Sequence, residues 1–556
     1  MRLTIAISAL LFFTLKVFSQ PSIDWYRTYD DEQHYLDGST CAVMDDAGNI
    51  YVSGEAYNYY SRSSEYDIVT IKYSPAGDQL WLRKYHNYNY DGAVKMYYHS
   101  NNIYVLGWSQ DSITYNMNSI VLKYDVNGNL VWLKRIGNIS YFMYQPADMI
   151  ADYNFENFYL TGYYYNNDSS QGVIHKLNKY GSIVWETRIR YQQYDNTVFL
   201  KSSLSQSGNI LSCGNVSMNY PNYDPKSLFV KIGLNGNVLW SRTDSIKYVV
   251  DVVRNQQDEK FILSISPAYE YHTNFNVSKL NSSDSLVWNI SRTGTYHLTS
   301  YYNLFPVQKF IEIDNQQNVI VAYSCETNQN RNSLSVYKFD RDANEIWQYS
   351  DTSIIKPTSV VIDNFNNIYV STICYFYRNT NQSYLTKLSS SGNLIWKAGN
   401  ISIYRYDFAP YGLIVKENII VLSGYSNYMY LGRSDYLTVK YTQPIGIQPI
   451  SSEIPDKFSL SQNYPNPFNP VTKILFNIPL WPAFRRGVDA EGRRGVLIKL
   501  IIYDILGREI KILVNEQLKP GTYEVEFDGT DLPSGVYFYK LITKDFLETK
   551  KMVLIK

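Results

Sequence analysis

The chain has 556 residues, 45% apolar and 18% charged, with 51 basic and 51 acidic side chains that cancel. That balance belongs to a folded chain with room for one large and one small domain, and a net charge of zero gives a general nucleic-acid role no electrostatic footing. Tyrosine is used 55 times, far above ordinary frequency.

Residues 1–19 read as a secretory signal. Arg2 gives the positive start, the run from Ile5 to Leu15 is mostly apolar and too short to span a bilayer, and Val17-Phe18-Ser19 precede the cut. No other segment reaches the length of a transmembrane helix. A repeating unit then fills 20–443. Its first full copy runs Asp45-Asp46-Ala47-Gly48-Asn49-Ile50-Tyr51-Val52-Ser53-Gly54, a variable loop, Tyr66-Asp67-Ile68-Val69-Thr70-Ile71-Lys72-Tyr73, a Gly77-Asp78 turn, and Gln79-Leu80-Trp81-Leu82. Short runs of branched and aromatic residues are strands, and the Gly-Asn and Gly-Asp pairs are hairpin turns. With the run before Asp45, each unit supplies four strands, a to d.

Trp25, Trp81, Trp132, Trp185, Trp240, Trp288, Trp347 and Trp396 mark the d strands at intervals of 48 to 59 residues. Four strands at that period predict an all-β fold, a β-propeller. The d strand around Trp25 has no a, b or c before it, and 412–441 supplies a, b and c with no d after them. The N-terminal strand is therefore expected to complete the last blade. Eight blades result, or seven if one of the degenerate units around Ser283 and Ala343 is misread. Each Trp is expected to pack between blades or against its own c strand.

Cys41, Cys213, Cys325 and Cys374 lie in different blades, and free buried thiols are expected rather than disulfides. In a propeller the d–a and b–c loops share the face around the channel mouth. Three d–a loops end in a Tyr and an Asp: Tyr90-Asp91, Tyr194-Asp195 and Tyr406-Asp407, with a looser Tyr35-Leu36-Asp37. Repetition would set these around a ring, where aromatic faces stack a sugar and carboxylates hold its hydroxyls. The competing reading is that each Asp caps its own turn. The b–c loops, such as Tyr57-Asn58-Tyr59-Tyr60, Tyr163-Tyr164-Tyr165 and Tyr425-Ser426-Asn427-Tyr428, suit a recognition surface and exposed β structure equally. No histidine sits in a nucleophile motif. There is no Gly-x-Ser-x-Gly, no Cys-x-x-Cys or His-x-x-x-His spacing, and no compact Asp-x-Asp-x-Asp loop. The sequence therefore assigns no catalytic residue, no metal site and no cofactor.

Pro444, Pro449 and Pro455 mark a linker over 444–457, and 458–556 reads as a small Ig-like β-sandwich with strands at 473–478, 497–504, 521–528, 535–543 and 549–555. The runs Asn463-Tyr464-Pro465-Asn466-Pro467-Phe468-Asn469-Pro470, Tyr503-Asp504-Ile505-Leu506-Gly507-Arg508-Glu509, Leu532-Pro533-Ser534-Gly535-Val536-Tyr537 and Lys550-Lys551-Met552-Val553-Leu554-Ile555-Lys556 resemble a type IX secretion system C-terminal sorting domain of type A. The resemblance implies that Asn463, Tyr464, Pro465, Asn466, Pro467, Gly507, Gly535, Tyr537 and Lys556 carry the sorting motif, with the type IX machinery as partner. It also implies a Bacteroidetes-like bacterium, export through the periplasm and outer membrane, and removal of the tail with attachment to surface lipopolysaccharide. An Arg-rich insertion over 481–495, with two copies of Arg-Arg-Gly-Val, departs from the family pattern. The propeller units resemble the bacterial secreted β-propeller repeat with Gly-Asn-Ile-Tyr-Val and Leu-x-Trp cores. The expectation is a secreted or cell-surface binding or adhesion module whose ligand is a glycan or surface protein. The alternatives are a glycan-active hydrolase or lyase on the same scaffold, and a structural surface component.

Overall fold

The computed structural model describes residues 21–31, 37–60, 63–87, 90–111, 113–137, 143–165, 169–219, 225–244, 248–267, 273–294, 310–327, 331–352, 356–375, 381–399, 406–428, 433–443, 448–451, 455–479, 496–518, 520–529 and 532–556. The signal segment, His34, Tyr35 and the Arg-rich insertion lie outside them. All regular elements among the described residues are strands, gathered into four-stranded sheets in two compact units.

Eight of the sheets are blades. Seven follow chain order, over 38–85, 91–136, 143–189, 196–244, 248–294, 311–351 and 356–399. The eighth is ordered Ser22–Tyr29, Arg433–Thr442, Ile419–Tyr428, Tyr406–Lys416, so the N-terminal strand does complete the last blade. Eight is thus the blade count, and the degenerate units are genuine blades. Strand a of this last blade begins at Tyr406, ahead of the expected Gly412. Tyr57, Tyr60, Tyr163, Tyr165, Tyr425 and Tyr428, expected in loops, belong to strands b. Tyrosine-rich ends extend the pleated ribbon because the ring suits a half-buried strand.

The tryptophans hold neighbouring blades together. The indole N–H of Trp25, Trp81, Trp132, Trp185, Trp288 and Trp347 donates to a carbonyl in the c–d turn of the next blade, at 2.8 to 3.2 Å. The turn glycine lies against the same ring. A Cβ on Gly128, whose φ is +81°, would stand 2.8 Å from the Trp81 ring, and Gly77, Gly181, Gly236 and Gly392 repeat this against Trp25, Trp132, Trp185 and Trp347. Only glycine meets both demands at no steric cost. A lysine one strand inward shares the bond. Lys72 and Trp81 donate to Val126 O, Lys279 and Trp288 to Arg341 O, Lys338 and Trp347 to Ser390 O, and Lys440 and Trp25 to Pro75 O. The last pair closes the ring. In the degenerate fifth and sixth blades Asp284 and Ala343 take the glycine position at φ +65° and +74°. Asp284 compensates, since its buried carboxylate lies 2.5 Å from Lys231 Nζ of the fourth blade and 2.7 Å from Lys260 Nζ of its own. Trp25, Trp81 and Trp396 are buried while the other five are partly exposed, so the tryptophans contribute unequally to the core.

Cys41 and Cys213 are free and buried, as expected. Burial pushes the Cys41 thiol up to about 12 and that of Cys213 higher still, so neither is a nucleophile at neutral pH. The side chains of Cys325 and Cys374 lie outside the described residues.

The second unit is a β-sandwich. One sheet is ordered Gln448–Ser451, Gly521–Asp528, Val471–Ile478, Ser459–Leu460, and the other Glu509–Leu518, Val496–Tyr503, Gly535–Ile542, Leu547–Leu554. Gln448–Ser451 falls inside the stretch read as linker. Glu509–Leu518 was not legible as a strand because it is an edge, where charged and amide residues are tolerated and blunt unwanted pairing. Ile474, Phe476, Ile498, Leu500, Val525, Tyr539 and Met552 form a common core. The sorting motif divides by role. Asn463 is buried, donating from Nδ2 to Pro465 O at 3.0 Å and Thr472 Oγ1 at 2.9 Å, while its N–H donates to the Tyr539 hydroxyl at 2.8 Å. Asn466 accepts from Val553 N–H at 2.9 Å, Tyr537 donates to Pro533 O at 2.8 Å, and Lys556 N–H donates to Ser534 at 2.9 Å. Gly507 makes its turn at φ +76°. Tyr464, by contrast, is 79% exposed.

Candidate functional site

The expected Tyr–Asp pairs lie where strands d lead into strands a. Tyr90 makes a parallel bridge to Tyr66 of the first blade, and their rings stack at 5.6 Å; Tyr57 meets Tyr66 edge-on at 5.1 Å. Asp91 opens strand Asp91–His99 and is fully buried. Tyr194 packs on the core between the third and fourth blades with Lys226 Nζ 5.9 Å over its ring, and Asp195 accepts from Asn219 N–H at 2.7 Å. Tyr406 and Asp407 pair with Tyr428 and Asn427 in the eighth blade, but their side chains lie outside the described residues. Asp37 accepts from the N–H groups of Asp31 at 2.6 Å and Tyr57 at 2.8 Å.

Around the first blade, strand alternation sorts these groups into two interblade spaces. Glu55 pairs with Ile68, and Ile68 points at Gly107 of the second blade, where a Cβ would meet its Cδ1 at 2.8 Å. Glu55, Tyr57 and Tyr66 therefore face the second blade. Asp91 pairs with Ser109 two residues along from the Ala93–Gly107 pair, so it faces back into the same space. Asp91 Oδ2 accepts from Asn87 N–H at 2.9 Å, whereas the equally buried Oδ1 has no hydrogen-bond partner among the described residues. Arg135 reaches the Tyr85 hydroxyl at the outer side of this space and lies over its ring. Residues of the opposite parity face the eighth blade. There His86 Nδ1 lies 2.6 Å from Asp67 Oδ1 and Nε2 lies 3.7 Å from Glu65 Oε2, beside the 2.9 Å pair of Lys84 and Asp31.

Burial is the largest influence on three of these carboxyls. It pushes Asp37 up to about 7 against two backbone N–H bonds, Asp91 up to about 7 against Ser109, Asn87 and the charge of Arg135, and Glu55 up to about 7. A carboxyl raised on folding holds a proton that the unfolded chain has lost. Its contribution is full below the unfolded value and disappears as pH rises through the folded one. The unfolding midpoint is expected to fall as pH climbs from about 4.5 to about 7.5, by roughly 1–2 kcal/mol per group after allowance for solvent screening. Glu55→Gln should flatten the slope measurably in a thermal scan against pH. A slope of the opposite sign would refute the assignment.

Tyr57 and Tyr90 were singled out by sequence. Glu55, Tyr66, Asp67 and His86 were not. A signal for Glu55 existed: the residue after the strand-b glycine is Trp108, Tyr163, Asn215 and Tyr425 in other blades, and acidic only here.

Residues 462–556 match the family described as the secretion system C-terminal sorting domain. No curated protein matches the chain. Among solved structures it is similar to the Dos1 propeller, with 8% identity, TM-score 0.47, and coverage of 76% of this chain and 95% of that one. It is also similar to PorZ, a surface component of the type IX secretion system of Porphyromonas gingivalis, with 10% identity, TM-score 0.33, and coverage of 94% and 74%. A third is the polysaccharide lyase Uly1, with 9% identity, TM-score 0.36, and coverage of 64% and 92%. With its ring of blades and its matched tail, the chain is a β-propeller protein bearing a type IX sorting domain, which directs it to the cell surface or beyond.

Proposed function

We propose that the propeller is a binding module delivered to the cell surface, and that it takes glycans at the end of the ring where strands d lead into strands a. The observation that supports this is the space between the first and second blades, where Tyr57, Tyr66 and Tyr90 stand with Glu55 and Asp91. Tyrosine rings stack on the apolar faces of sugars, and carboxyl groups near their titration point both donate to and accept from hydroxyls. A glycan array probed with the purified full chain tests it. Binding to a defined subset is expected, weakened about tenfold or more by Tyr90→Ala. An array without any signal would count against the reading.

One observation favours a second reading, a glycan-active enzyme. His86 lies between Asp67 and Glu65 in the space toward the eighth blade, and a histidine oriented by a carboxylate is suited to proton transfer. Reducing-end release from polysaccharides, lost in His86→Ala, would favour catalysis over binding alone.

A further inference from the structure

The space between the first and second blades has a charge pattern that goes further than a general affinity for sugars. Glu55 is partly accessible, and burial raises its carboxyl. Asp91, with no exposed surface, is on the same side of its strand; Asn87 N–H holds Oδ2 and Ser109 lies beside the carboxyl, while Oδ1 has no hydrogen-bond partner among the described residues. Tyr66 and Tyr90 stack on one another, with Tyr90 38% exposed, and Tyr57 meets Tyr66 edge-on. Arg135, the nearby cation, is engaged with Tyr85 on the outer side. Neither carboxyl has an ion pair among the described residues, Arg135 acting on Asp91 only through space, and both stand beside three aromatic rings.

Buried carboxylates are stable when a positive charge meets them, and the faces of aromatic rings attract the same charge. Resting on the glycan-binding reading above, we propose that the space between the first and second blades recognises the free ammonium group of an amino sugar, with Glu55 and Asp91 as its counter-ions and the tyrosines as its walls. A divalent metal fits less well, because no group of three or more metal-ligating side chains occurs among the described residues. N-acetylation of the amino sugar removes the charge and should abolish the preference.

Cation binding converts protonated carboxyls to carboxylates, so complex formation near pH 7 should release protons. Isothermal titration of the full chain with a glucosamine oligosaccharide and with its N-acetylated counterpart, each in two buffers of different ionisation enthalpy, reads both effects. Expected are tighter binding of the free amine by at least tenfold, proton release on binding, and a loss of tenfold or more in Glu55→Gln. That variant retains the side-chain volume, and its folding is checked by its melting curve. Equal affinity for both oligosaccharides, or an unchanged Glu55→Gln, overturns the proposal. A glycan array that is positive for other sugars but silent for amino sugars overturns it while leaving the binding function intact; a wholly silent array removes both.

Discussion

Trp25→Ala is expected to cost about 3–5 kcal/mol of stability and to release the closing strand. Trp25 is 8% exposed, donates to Pro75 O at 3.0 Å, packs 5.8 Å from the Tyr73 ring and lies under the Arg27 guanidinium. Its neighbours on the seam are bonded too: Arg27 Nε donates to Gly77 O at 2.6 Å, and Tyr29 meets Tyr436 edge-on at 5.4 Å. No covalent turn holds this strand to the eighth blade, so a loosened contact is not rescued by its chain neighbours. Deleting residues 22–29 should be more severe. It bares the edge of Arg433–Thr442, whose Tyr436, Val439 and Tyr441 are buried, and an open apolar edge invites aggregation. Urea unfolding provides the comparison. Trp132→Ala, in a partly exposed interior position, should lose less than Trp25→Ala; an equal or greater loss would mean that closure is not the weak point.

Removal of 462–556 is expected to abolish surface delivery and leave the propeller in the periplasm, which fractionation and surface proteolysis would read. Undiminished surface display without the tail would contradict the assignment. Two single substitutions separate folding of the tail from its recognition. Asn463→Ala removes a buried amide that bonds Pro465 and Thr472, and should destabilise the sandwich by about 1–3 kcal/mol and impair export with it. Tyr464→Ala removes an exposed ring and should leave stability unchanged. An export defect in the second variant then reports contact with the machinery.

Much of the ring was legible because tryptophan is rare and recurs once per blade. The strand around Trp25 could be assigned to the far end of the chain by elimination. The lysine opposite each tryptophan from Trp81 to Trp396, which in three of these seven pairs shares the tryptophan's carbonyl, was equally visible. Lys72, Lys123, Lys176, Lys231, Lys279, Lys338 and Lys387 each stand nine residues before a Trp and directly opposite it in the sheet. The Tyr90–Asp91 pair was legible because it sits at a repeated junction. Its companions were not, because the approach of Glu55 and Tyr66 to Asp91 depends on which face of two separate sheets each residue occupies. Strand parity across a blade interface is set by the one-residue bulges in strands a, such as those between Ser39 and Cys41 and between Ala93 and Lys95, and no local pattern announces them.

The glycine-lined turns have a consequence for how such chains change over generations. What five of the tryptophans meet in the following unit is a peptide carbonyl and a residue without a side chain, which any regular copy of the motif supplies. Units are thus interchangeable at the joints, and duplication or loss of a stretch of about fifty residues need not be accompanied by matched substitutions next door. The joints before Asp284 and Ala343 depart from this, the first furthest: its acid is paired with Lys231 from the preceding unit, so an insertion there should be tolerated worst.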